Sequence, residues 1–143
     1  MLVREVLAAK GGDVWTISAA KTLQDALRLF ISKKIGALLV VKSPGQISGI
    51  VSERDVLRTC YDHPADWFKL RISDVMTGVI KTVAPEADLK VVMELMTENR
   101  IRHVPVVANQ KLVGIISIGD VVKARLEHTE YENEHMRNYI YGV

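Results

Sequence analysis

Apolar residues along this chain recur with two different periods. Leu23, Ala26, Leu27 and Phe30 fall at helical spacing, as do Leu89, Val92, Met93 and Met96, so each set predicts an amphipathic helix of about three turns. Each helix is followed by a short apolar run rich in β-branched residues, at residues 37–41 and 104–107. Gly36 or Pro105 and polar turns bound these runs. The turns SPGQ (43–46) and ANQK (108–111) lead into second strands at residues 47–52 and 112–117. A further helix opens at residues 55–58 and again at 120–125. Short β-type stretches, 14–17 and 79–83, precede the amphipathic helices, and residues 3–7 (VREVL) and 72–76 (ISDVM) read as equivalent helical leads into the two halves. Each half therefore reads β-α-β-β-α.

The pattern repeats because the sequence does. Residues 17–41 align with residues 83–107 at an offset of 66, and GIVSERDV (49–56) aligns with GIISIGDV (114–121) at an offset of 65. Such a repeat predicts two like units related by a pseudo-two-fold axis, neither able to bury its apolar face alone, with a seam whose grooves come in two copies. The fold class expected is mixed α/β (α+β), divided as residues 1–66, 67–126 and a charged helical tail, 127–143. The linker 59–70 is irregular, because Pro64 bars a continuous helix. Tyr131, Met136, Tyr139 and Ile140 are too few for a core helix. The tail is read either as packing on another subunit or as a solvated end.

Composition narrows the function classes. An apolar share of 48% over 143 residues supports one compact domain or two closely packed halves, and no apolar run is long enough to cross a membrane. Cys60 stands alone, and charges interrupt the first apolar stretch, so neither a disulfide framework nor a secretory signal is expected and the cytoplasm is the expected setting. The four histidines and one cysteine form no metal-ligand spacing. A net charge of +2 is nearly balanced and offers no argument for nucleic acid.

Candidate chemistry sits where strand gives way to helix. Ser52-Glu53-Arg54-Asp55 and Ser117-Ile118-Gly119-Asp120 each place a carboxylate three residues after a hydroxyl. One reading is a helix cap, in which the acid complements the helix dipole. The other is a ribose site, since a carboxylate at a helix start accepts both sugar hydroxyls while neighbouring groups bind phosphate oxygens. Recurrence of the whole strand with its Ser and Asp favours the second. No nucleophile has a histidine partner at a repeated spacing, and no P-loop or GxGxxG segment is present, so no catalytic residue is expected.

With both Ser-x-x-Asp copies, their apolar strands and a D-V-M lead, residues 3 to about 125 resemble a tandem cystathionine-β-synthase (CBS) domain pair, the Bateman module. SERDV, NRIRHVPVV and GIISIGDVV look especially like small stand-alone bacterial pairs. The resemblance implies two CBS repeats with pseudo-two-fold symmetry and clefts for an adenosyl ligand such as AMP, ADP, ATP, NAD(H) or S-adenosylmethionine. It places ribose and phosphate contacts on Asp55 and Ser52 and on Asp120 and Ser117, and first-strand threonines on Thr16 and Thr82. The base-reading stretch falls on Gly36, Ala37 and Leu38, and on Arg102, His103, Val104 and Pro105. In the second copy Arg102 and His103 offer charged donors beside an apolar floor of Ile101 and Val104, or else form a solvated strand edge. Arg54 is a further phosphate candidate. Gly119 replaces Arg54 in the second copy, so the clefts are unequal, and one dominant cleft centred on Asp120 is expected. The implied function is a non-enzymatic nucleotide sensor acting on an effector in trans. It is expected to be a homodimer packed through helices around Val56-Leu57 and Val121-Val122, and the alternative is a ligand-independent adaptor.

Overall fold

A computed structural model describes residues 1–78 and 81–142. The element order is α1 (Val3–Lys10), β1 (Thr16–Ser18), α2 (Leu23–Lys33), β2 (Ala37–Ser43), β3 (Gln46–Ser52), α3 (Glu53–Asp62), a 3-10 turn (Trp67–Lys69), α4 (Ile72–Val75), α5 (Leu89–Asn99), β4 (His103–Ala108), β5 (Lys111–Ser117) and α6 (Ile118–Tyr141). This is the mixed α/β architecture expected from the repeat. In the first half β1 pairs parallel with β2, which pairs antiparallel with β3. In the second half β4 and β5 form the equivalent hairpin, and among the described residues Val83 pairs parallel with Val106. The first strand expected there, over residues 79–83, begins outside the described residues.

The amphipathic helices bury the faces their spacing marks. Leu23, Ala26 and Phe30 of α2 and Leu89, Val92 and Met96 of α5 turn inward. Both helices then end on a non-glycine residue in the left-handed region, Lys34 (φ 54°) and Arg100 (φ 52°). That geometry closes each helix and turns the chain into the following strand.

The leads are exchanged, a feature the linear reading does not reveal. Val3 and Val6 of α1 lie in the core of the second half, with Leu89, Val92, Met96, Val104 and Ile116. Ile72 of α4 lies in the core of the first half, with Ile17, Leu23, Leu38 and Val51. The N–H groups of Val3 and Arg4 donate to the carbonyls of Ala87 and Pro85, which fixes α1 beside the start of α5. Each fully buried Val, Leu or Ile contributes roughly 1.5–3 kcal/mol of transfer free energy, so each half depends on a helix supplied from the other side of the linker.

Glycines permit the close approach of these leads. A Cβ at Gly114 would lie 2.6 Å from Leu7 Cδ2, and one at Gly49 would lie 2.5 Å from the Thr77 carbonyl oxygen.

Two elements run further than their local signals indicate. Helix α3 continues to Asp62, ending just before His63-Pro64. Helix α6 has no break at residue 127 and runs 24 residues to a left-handed Gly142. Only Val121 and Ala124 of α6 are buried, and Tyr131, Met136, Tyr139 and Ile140 are exposed. The pairs read as apolar helical faces divide between inside and outside: Val56 and Val121 are buried, whereas Leu57 and Val122 face outward.

Candidate functional site

Both Ser-x-x-Asp segments sit at the junction of a hairpin with a helix. The Ser52 N–H donates to Asp55 Oδ2 at 2.8 Å and its hydroxyl donates to the same oxygen at 3.2 Å. Asp55 Oδ1 accepts from Arg58, one turn along α3. In the second half the Ser117 N–H donates to Asp120 Oδ2 at 2.8 Å, while the Asp120 N–H donates to the Ser117 hydroxyl at 3.1 Å. Capping is therefore present in both copies. It leaves each carboxylate fixed in orientation, which a ribose site also requires.

The seam between the halves holds a cavity of about 520 Å³. From the first half it is lined by Gly36, Ile50, Ser52, Glu53, Arg54, Asp55 and Arg58. The segment between α4 and α5 adds Thr77 and Lys81. The second half adds Asn99, Arg100, Ile101, Arg102, His103 and Pro105. The two phosphate-side candidates from opposite halves, Arg54 and Arg102, thus share one cavity, and Asp55 shares it with them. Asp120 and Ser117 do not line it. This cavity is therefore built around Asp55, whereas the sequence places the main cleft at Asp120. Arg102 is the repeat counterpart of Gly36, and because both line this cavity the second copy's cations share it with the first copy's carboxylate.

Among the described residues, Arg54, Lys81, Arg100 and Arg102 make no ion pair within the chain. Four cations face Glu53 and the already paired Asp55, which gives the cavity a surplus of positive charge. The Arg58 side chain is 63% exposed while the Asp55 carboxylate is 8% exposed, so solvent screens this pair from the Arg58 side only.

His103 stands at the middle of the seam. A Cβ on Gly36 would lie 3.8 Å from His103 Nε2 and 3.9 Å from Glu53 Cδ. Burial pushes the His103 imidazole below its ordinary pKa, and the Lys10 ammonium adds to that, against the opposing pull of Asp120 and Glu53. His103 is therefore neutral at pH 7. It offers one donor and one acceptor.

Asp120 has a different neighbour. Lys10 Nζ, at the end of α1, donates to Asp120 Oδ2 at 2.6 Å and to the Ile115 carbonyl at 2.9 Å. Burial raises the Asp120 carboxyl, but the hydrogen bonds from Lys10 and Ser117 together with the Lys10 charge outweigh it and hold the group below the usual carboxylate range.

The remaining sequence-derived positions divide between surface and core. Thr16 and Thr82 are exposed and lie outside the cavity lining, and Ala37 is half-buried. Leu38 and Val104 are fully buried in the two cores, leaving only their backbone for any base contact. Sequence reasoning missed Lys10, Arg58, Lys81 and Arg100. Helical spacing from Asp55 signals Arg58, and Arg100 adjoins the Ile101-Arg102 segment. Lys81 and Lys10 have no such signal, because only the exchange of leads and the path of the chain between α4 and α5 bring them to the seam.

A family model described as the CBS domain matches residues 3–62 and 72–127. The chain is 37% identical to "CBS domain-containing protein CBSX3, mitochondrial" of Arabidopsis thaliana over 140 residues, covering 94% of this chain and 67% of that one. It is 32% identical to an inosine-5'-monophosphate dehydrogenase of Nitrosopumilus maritimus over 120 residues, which cover 83% of this chain but 23% of the enzyme. Among solved structures, a CBS-domain containing protein from Agrobacterium tumefaciens superposes with a TM-score of 0.85 at 38% identity. That match covers 87% of this chain and 99% of the other.

Proposed function

This chain belongs to the CBS domain family, as a tandem pair, and from that premise we propose that it is a non-catalytic regulatory module that binds an adenine nucleotide at the Asp55 cleft. The observation that carries this reading is the single cavity joining Ser52 and Asp55 to Arg54, Lys81, Arg100 and Arg102. A nucleotide presents a sugar diol, anionic phosphates and a flat apolar base. Asp55 supplies a charged acceptor for the diol. The cations supply bidentate or point-charge partners for phosphate, and Ile50 and Ile101 supply apolar surface for the base.

The charge surplus favours ligands with more than one phosphate and disfavours the sulfonium of S-adenosylmethionine. Outward-facing Leu57, Val122 and Leu126, which are 70%, 53% and 61% exposed, support self-association through the helices in a homodimer. Ligand-dependent packing at the seam then changes what the module presents to an effector in trans.

The test is isothermal titration with adenosine, AMP, ADP, ATP, NAD, NADH and S-adenosylmethionine. Affinity is expected to rise from adenosine to AMP to ADP, with S-adenosylmethionine weakest. Absence of binding by every adenosyl ligand would reject the nucleotide reading and favour a ligand-independent adaptor.

A further inference from the structure

We propose that Lys10 closes the second Ser-x-x-Asp cleft, so that the chain holds one nucleotide per protomer despite carrying two copies of the motif. This rests on the nucleotide reading above and adds a residue that sets the stoichiometry. In the first half the Ile50 backbone is paired by Thr77, which donates its N–H to the Ile50 carbonyl at 2.9 Å and accepts from the Ile50 N–H at 3.1 Å. The repeat makes Ile115 the equivalent of Ile50, and there the carbonyl accepts from the Lys10 ammonium instead. The difference begins in the leads. Helix α4 ends after four residues, at Val75, whereas α1 runs eight and carries Lys10 onto the end of β5.

Once placed there, the ammonium meets Asp120, whose Oδ2 is the oxygen that also accepts from the Ser117 N–H. A ribose diol seeking this carboxylate meets a cation that is 29% exposed, against 63% for Arg58 at Asp55; the carboxylates themselves are 20% and 8% exposed, so the difference between the two sites lies in the cation. Arg58 at Asp55 is not equivalent, because it is an exposed neighbour on the same helix and swings away without disturbing any other element. Lys10 has less freedom. Its helix is anchored by Val3 and Val6 in the second core and by Leu7 against Gly114, so releasing Asp120 also gives up the Ile115 carbonyl. A carboxylate held by a tethered internal cation has its partner at a high effective concentration, which a free sugar hydroxyl must overcome.

Titration of the whole chain with ADP tests this. One binding event per protomer is expected for the wild type and for Lys10→Arg, which keeps the charge, and two events are expected for Lys10→Met. Two events in the wild type, or one in a Lys10→Met protein that retains its circular dichroism, would overturn the inference while leaving the nucleotide reading intact. No ADP binding by any of the three proteins would overturn both. A second measurement needs no variant: amine acetylation mapped by mass spectrometry, with and without saturating ADP. Lys10 is expected to react more slowly than exposed Lys90 in both cases. Exposure of Lys10 by ADP would show that ligand enters the second cleft, and the inference would fall.

Discussion

Asp55 and Asp120 occupy equivalent backbone positions, and their different neighbours lead to different expected behaviour. Asp55 faces a cationic cavity, whereas Asp120 is engaged by Lys10. Two charge-assisted hydroxyl bonds are together worth roughly 2–4 kcal/mol, or about 30- to 1000-fold in Kd. Asp55→Ala is therefore expected to weaken ADP binding by that order, and by more than Asp120→Ala does; equal losses in calorimetry would contradict the assignment of the open cleft. Arg54→Ala and Arg102→Ala are expected to weaken ADP binding while leaving adenosine binding nearly unchanged, since the lost contact is ionic. If adenosine suffers equally, these arginines are structural. His103 and Asp120 also give pH signatures. Because the folded protein holds His103 below its ordinary value of about 6.5, the unfolded chain takes up that proton more readily. The stability His103 confers as a neutral group is complete above about pH 6.5 and declines as pH falls through that value. The Asp120 contribution, from a depressed carboxyl, persists to lower pH and is lost only below about pH 3.8. Denaturation midpoints between about pH 5 and 7.5 are expected to rise with pH, and a slope unchanged in His103→Gln would show that another group is responsible.

At the scale of elements, the two leads dock on glycines with different tolerance. At Gly49 the neighbour of an added Cβ is the Thr77 carbonyl, which is fixed by its pairing with Ile50. At Gly114 the neighbour is the end of the Leu7 side chain, which has other rotamers available. Gly49→Ala is expected to cost about 1–3 kcal/mol of stability and Gly114→Ala less. Urea denaturation compares them directly, and the reverse order would mean that the Leu7 contact is the less yielding of the two. Helix α6 raises a separate question, because its distal turns carry Tyr131, Met136, Tyr139 and Ile140 with no core contact. Marginal helices of this kind gain most of their stability from packing against something else.

For the whole molecule, the exposed apolar residues on α3 and α6 and the nucleotide cleft make linked predictions. The protein is expected to scatter light as a dimer, and Leu57→Asp or Val122→Asp is expected to shift it toward monomer. A wild type that is monomeric at micromolar concentration would remove the dimer from the proposed mechanism. A ligand that binds only the folded state adds RT ln(1 + [L]/Kd), about 2.7 kcal/mol at a hundredfold excess over Kd, so saturating ADP is expected to raise Tm by several degrees. No shift with ADP would count against occupancy of the cleft.

Much of this architecture is legible in the chain itself. Helical spacing, short apolar runs, the turn residues and an internal repeat determine the helices, the hairpins and their duplication, because those features follow from local burial and local turn geometry. The Ser-x-x-Asp segments are legible for the same reason: each bond between Ser52 and Asp55, or Ser117 and Asp120, spans three residues. The exchange of the leads is not local. Residues 3–7 and 72–76 look alike, and only the packed cores decide that Val3 joins Leu89 while Ile72 joins Leu23. That exchange brings Lys10 to Asp120 across 110 residues, while the seam brings Arg102 to the cavity of Asp55. A repeat in sequence makes two sites equivalent in residue type. Their charges, neighbours and access are set by the tertiary structure, because electrostatics acts through distances that only the folded chain defines.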